Sequence, residues 1–395
     1  MHLKYDKKRL LLILIIILAL LTIAAFNLRQ DQKQAKQNKA LLNTSFGMIE
    51  TDFPPEYIEE NLKQIQTEIP RVYELLHVVI ALTEPGQTGQ YNLNYNSDYY
   101  QEVIKYFKPY DDHPAVQEYV NLRAEYSYSG LRKIFAYKFN DNNEIIKNEI
   151  YNYSNKDLNN YSKLLEDFAQ KSNFNNFYSQ HQNYYEAKIK EFNKYTDLKE
   201  IWVWLEENYP NRYDSYKVVL SPLVFASHNT TSFSDTQKGF KEIIMFVSSA
   251  ELFTRHNFAN EKLTAALTER MVFTEIDHNY VNPTTDQAEN MRQVMAVFGN
   301  LKKWNQQSGY GNSALTFNEY MTWATACLYV HDNYNREVYN KFLKNTNDTM
   351  KARGFIKFPA FYDELLSLYK HTDKPIYKLY PDILEKSKEI QISLK

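Results

Sequence analysis

One change of texture constrains the fold more than any other feature of this chain. Most apolar residues recur at helical spacing, but from about residue 212 the runs "SYKVVLSPLVFASHNTTSFS" and "KEIIMFVSS" are β-branched and aromatic, separated by polar turns. That is strand chemistry. The next segment, "NEKLTAALTERMVFTEIDHNYVNP", returns to helical spacing for about six turns. Its expected end is Asn282, because a residue before proline (here Pro283) is pushed out of the helical region. A short sheet set into a helical chain, followed by one long helix, predicts an α+β fold, predominantly helical, with the sheet packed on that helix.

The flanking regions read as helices. After Pro54 and Pro55, the residues Ile58, Leu62, Ile65 and Ile69 fit one helical stripe. "VYELLHVVIAL" is a second helix, ending before Glu84-Pro85-Gly86, and "SDYYQEVIKYF" has Ser97 as its cap. Residues 115–210 stay helical between Asn-rich turns such as "NDNNE". Downstream, "TTDQAENMRQVMAVFGNLKKW" and "LTFNEYMTWATACLYVHDNY" are two more helices, and the tail from 336 to 395 is helical. The expected organisation is a leader (1–26), a polar stem (27–52), a helical N-terminal region (53–211), a sheet-bearing region (212–335) and a helical C-terminal region (336–395).

The leader is a basic start, "MHLKYDKKR", an apolar run at 10–26 and a polar Gln/Lys/Asn-rich stem. This pattern predicts a signal peptide or N-terminal membrane anchor, with the body outside the cytoplasm and no other contact with a membrane. With 46 basic against 48 acidic residues and no basic block in the body, nothing points to nucleic acid. The single cysteine, Cys327, allows no internal disulfide and reads as a small buried hydrophobe. The 33 Tyr and 23 Phe rise together with Asn and Lys, which is base composition rather than a set of sugar platforms.

The chemistry concentrates in "MVFTEIDHNYVNP". Metallopeptidases carry His-Glu-x-x-His on a helix, two imidazoles gripping zinc while the glutamate takes a proton from metal-bound water. Here the five letters are Thr274-Glu275-Ile276-Asp277-His278, so the first imidazole is replaced by a hydroxyl. Glu319 in "FNEYMTWA" lies on a helix whose stripe is otherwise apolar, a costly place for a carboxylate unless a cation or donor meets it. Together, "IPRVYELLHVVIALT", "DYYQEVIKYFKPYDDHPAV", "FTEIDHNYVNP" and "FNEYMTWA" resemble a family of uncharacterised secreted bacterial proteins with a domain of unknown function, related to glutamate-zincin peptidases, over residues 55–345.

That resemblance implies a zincin-like lobe acting on peptides or proteins, with Glu275 as general base and His278 and Glu319 as zinc ligands. The departure at Thr274 leaves the zinc shell incomplete. His228, His256 and His331 are candidates to complete it, and spacing selects none of them. Tyr329 or His331 is a candidate oxyanion donor, although both lie off the face of Glu319. The alternative is a zincin-fold envelope protein without catalysis, holding peptide or glycan. Asp111-Asp112-His113 reads as turn and cap chemistry, and His77 as a core histidine. No Gly-x-Ser-x-Gly elbow and no phosphate-binding glycine loop is present.

Overall fold

The β-branched runs form the centre of a five-stranded mixed sheet. The computed structural model describes residues 47–393 apart from 126–127, 152, 154, 255–259 and 307–308. The strands are β1 (Ile49–Glu50), β2 (Ile65–Glu68), β3 (Tyr137–Phe139), β4 (Ile145–Lys147), β5 (Ser215–Ser221), β6 (Asn229–Asp235) and β7 (Phe240–Ser248). The sheet runs β1-β6-β7-β5-β2, with β6 antiparallel to β7 and the other pairings parallel; β3 and β4 form a separate hairpin. Every residue of β5 is buried, and only Lys241 of β7 is exposed. Strands covered on both faces read as continuous apolar runs rather than alternating ones.

The covering helices are α1 (Pro55–Asn61), α2 (Arg71–Leu82), α3 (Asp98–Phe107), α4 (Pro114–Glu125), α5 (Lys156–Lys171), α6 (Leu198–Asn208), α7 (Glu261–Ile276), α8 (His278–Thr285), α9 (Ala288–Phe298), α10 (Ser313–Asn333), α11 (Arg336–Ala352), α12 (Phe358–Thr372) and α13 (Tyr380–Ser393). Phe246 of β7 meets Tyr73 of α2, ring centroids 5.4 Å apart. Thr230, cross-strand from Met245, accepts from Asn279 of α8 at 3.0 Å. Adjacent strand residues point to opposite faces, so α2 lies over one face and α8 over the other. The chain is α+β and predominantly helical, as expected.

Three local expectations are corrected. The helical stripe through Ile65 fails: α1 stops at Asn61, Lys63 takes φ of 59° and Ile65–Glu68 pairs in parallel with β5. Leu62, a supposed core position, is 48% exposed. A few apolar residues spaced three or four apart do not separate a helix from a turn leading into a strand. The helical reading of 115–210 fails at β3 and β4: "NDNNE" is a turn, as expected, but it joins two strands, Asn143 at φ 61° and Asn140 Oδ1 accepting from the backbone N–H of Asn142 and Glu144. Ile49 and Glu50, placed by sequence in the stem, pair with Phe233 and Ser234. The leader and residues 27–46 of the stem lie outside the described residues, and among those described no helix is long and apolar enough to cross a membrane.

The long helix also breaks earlier and continues further than expected. It turns at Asp277 between α7 and α8, and Pro283 sits inside α8 instead of ending it. Proline has no N–H, so the carbonyl four residues before it, Asn279, loses its helical donor. The Tyr213 hydroxyl takes that carbonyl at 2.6 Å. A distant side chain thus makes the proline tolerable. Tyr213→Phe should destabilise the protein by about 1–3 kcal/mol, the cost of an unsatisfied buried carbonyl. In a Pro283→Ala background, where the alanine N–H supplies the bond, the same substitution should cost distinctly less by urea denaturation.

Candidate functional site

Asn260 caps α7 by accepting from the Leu263 N–H, and the helix then runs through the core with nearly every side chain buried. Its polar residues are therefore paired across elements. Arg270 donates to Asn345 Oδ1 and Thr346 Oγ1 of α11, both at 2.9 Å. Glu269 accepts from the Asp197 N–H at 2.9 Å and the Tyr334 hydroxyl at 2.6 Å. These ties fix the helix roll, and with it the direction in which Glu275 and His278 face.

The structure brings His278 and Glu319 together, with His278 Nε2 3.5 Å from Glu319 Oε1. Glu275 joins them closely enough for Glu319 to oppose its ionisation. Burial first, and Glu319 second, push the Glu275 carboxyl up to about 8, so at neutral pH it keeps its proton. Burial and then Glu275 and Glu319 raise Asp277 well above the carboxylate range, beside the Thr322 hydroxyl. Burial draws His278 down, opposed by Glu319. Its Nδ1 faces Asn282 Oδ1 at 3.4 Å and Thr322 Oγ1 at 3.5 Å.

Sequence reasoning did not find the remaining partner. Arg353 donates to Glu319 Oε2 at 2.7 Å and to the Tyr310 hydroxyl. Its guanidinium lies over the Trp323 ring, 4.8 Å from the centroid. The Glu319 carboxylate, 8% exposed, thus has an imidazole at one oxygen and a guanidinium at the other. Arg353 stands where α11 ends, ahead of Gly354 at φ 88°, and nothing in "MKARGFIKF" marks a site.

The other candidates separate cleanly. His228 sits near the cluster: its Nε2 is 3.1 Å from Ser248 Oγ, which reaches Met271 Sδ at 2.8 Å. Burial, with Arg132 and Arg353 among the contributors, lowers its imidazole to about 3. Tyr329 is buried on α10 against Phe273 and Trp204. His331 pairs with Asp332 at 2.9 Å. Neither has a bond to the Glu319 cluster. His256 lies outside the described residues. His113 bridges to Asp167 at 3.0 Å and accepts the Ala115 N–H; His77 is core; Cys327 is buried, its thiol pushed up to about 12.

A peptidase zinc takes three protein ligands and a water. The described residues supply two, His278 and Glu319, and among them no cluster of three or more His, Cys, Asp or Glu side chains has metal-binding geometry. Thr274 Oγ1 turns back to the Met271 carbonyl of its own helix at 3.4 Å. This donor set does not fit the zinc of a hydrolase.

Fold and site define a predominantly helical α+β protein with a buried carboxylate–imidazole–guanidinium cluster on the helices that follow a short mixed sheet. The chain belongs to the family described as Domain of unknown function (DUF4932), whose model matches residues 143–384. That span holds β5 to β7 and the whole cluster. No curated protein and no solved structure matches the chain.

The raised carboxyls set a pH dependence. Glu275 is held at about 8 against an ordinary 4.5, so between those values the folded chain binds a proton that the unfolded chain has released. Stability then falls as pH rises through that window. Glu74 and Glu269, each at about 7 through burial, act in the same sense. Wild type should lose melting temperature between pH 5 and pH 8, and Glu275→Gln should lose less. Equal slopes in thermal melts would mean that Glu275 is charged throughout.

Proposed function

We propose that this is an extracytoplasmic, zincin-like protein whose Glu-x-x-His site holds a peptide without hydrolysing it. The observation that carries the reading is Arg353 on Glu319. The charge that a metal ion would bring to this carboxylate is supplied by a guanidinium belonging to the chain. Thr274 supports the same reading, since a hydroxyl offers no nitrogen donor where the zincin motif has its first imidazole. The basic, apolar and polar order of residues 1–52 supports export.

The ligand class follows from the groups that reach solvent. Arg353, 29% exposed, is a donor, and half-buried Glu275 carries a proton at neutral pH. A ligand rich in carbonyl oxygens, as a peptide backbone is, complements them. Arg353 would bind a carbonyl and Glu275 would donate to a second acceptor, while His278 keeps Glu319 in place.

A second reading, metal-dependent peptide hydrolysis, is favoured by one distance. The 3.5 Å between His278 Nε2 and Glu319 Oε1 lies within the span of two donors sharing one ion. Elemental analysis after incubation with zinc separates the two. The binding reading expects far less than one zinc per chain, and casein peptides that bind in the presence of EDTA and are recovered intact by mass spectrometry. Stoichiometric zinc, with casein cleavage lost in Glu275→Gln, would establish the hydrolase instead. Thr274→His should strengthen zinc binding by at least about 10-fold, the scale already seen for changes outside the first ligand shell.

A further inference from the structure

A cleft of about 400 Å3 opens between residues 89–96 and the loop that follows β5, apart from the residues around Glu319. Its walls are fixed by backbone pairing between segments distant in the chain. Leu93 bridges Val224, the Asn94 N–H donates to the Leu223 carbonyl at 2.8 Å, and the Phe225 N–H donates to the Asn92 carbonyl at 3.0 Å. Side chains reinforce this: Asn92 Nδ2 donates to Ser227 Oγ at 2.6 Å, and Asn94 Nδ2 to the Pro222 carbonyl at 3.2 Å. The lining is thus held in place before any ligand arrives.

The chemistry of the walls is aromatic and amide. Phe225 is 45% exposed although its backbone is tied to Asn92. Tyr91 stands edge-on to Tyr119 and Tyr95 edge-on to Tyr100, with the Tyr95 hydroxyl donating to the Tyr91 carbonyl at 2.7 Å. Both phenol rings are therefore locked. The one ionisable carboxylate in the lining, Glu251, is 3.3 Å from Lys188 Nζ, so its charge is already answered.

We infer that this cleft binds a neutral oligosaccharide, with Phe225 as the stacking platform. The volume lies within the range of small-ligand sites. A sugar ring presents an apolar C–H face to an aromatic ring and hydroxyls that both donate and accept, which suits the exposed amides of Asn92 and Asn96. An anionic ligand would meet no unanswered cation among the described lining residues, and a cationic one no free carboxylate. The inference is independent of the peptide reading, because no residue lining the cleft belongs to the Glu319 cluster.

The test is calorimetry on the full chain with maltohexaose, cellohexaose, N-acetylchitohexaose and mannohexaose, each up to about 10 mM, well beyond a millimolar dissociation constant. At least one sugar should bind, roughly tenfold more weakly to Phe225→Ala and undiminished to Phe225→Trp, with the melting temperature unchanged. Glu275→Gln should bind the sugar as wild type does. Three results would overturn the inference: no sugar binding in this range, binding indifferent to Phe225→Ala, or Phe225→Ala weakening casein-peptide binding instead. A fourth result, sugar binding lost in Glu275→Gln, would overturn it as well by assigning the sugar to the Glu319 cluster.

Discussion

Much of this structure follows from a helix that has no solvent face. α7 buries Thr264, Thr268, Glu269, Arg270 and Thr274 beside its apolar residues. A buried polar group without a partner costs on the order of 1–3 kcal/mol, and a buried charge more. The neighbours must therefore arrive with complementary groups: Tyr334 and the Asp197 N–H for Glu269, Asn345 and Thr346 for Arg270. These pairings hold the packing of α6, α10 and α11 around α7 to one arrangement. They also explain why three acidic side chains can be gathered at its carboxyl end.

That gathering is an electrostatic problem with a local answer. Burial and the neighbouring carboxyls together raise Glu275 and Asp277 above the ordinary carboxylate range. One oxygen of Glu319 is met by Arg353, whose guanidinium also stacks on Trp323, and His278 approaches the other. Both oxygens of Glu319 thus face a nitrogen group of the chain itself.

How much of this was legible depended on whether local pattern or distant contact decided each feature. The strands β5 to β7 and the long helix α10 are long, strongly patterned segments, and sequence placed them well. The approach of His278 to Glu319 was expected from the resemblance to glutamate-zincin peptidases, whereas the apolar stripe around Glu319 alone left its partner open. Three features were hidden. Ile65 sits in a segment whose spacing fits either period. Pro283 stays helical only because Tyr213, seventy residues earlier, supplies a donor. Arg353 lies thirty-four residues beyond Glu319, at a helix end where an arginine is ordinary, and only the folded chain shows what it neutralises.

The arrangement around Glu319 has a consequence for how the protein relates to its surroundings. A cofactor ion must be acquired from outside the chain and can be lost to competitors or replaced by a wrong element. A guanidinium is synthesised with the polypeptide and arrives with its counter-charge in fixed proportion. The counter-charge of Glu319 is in place once the chain has folded.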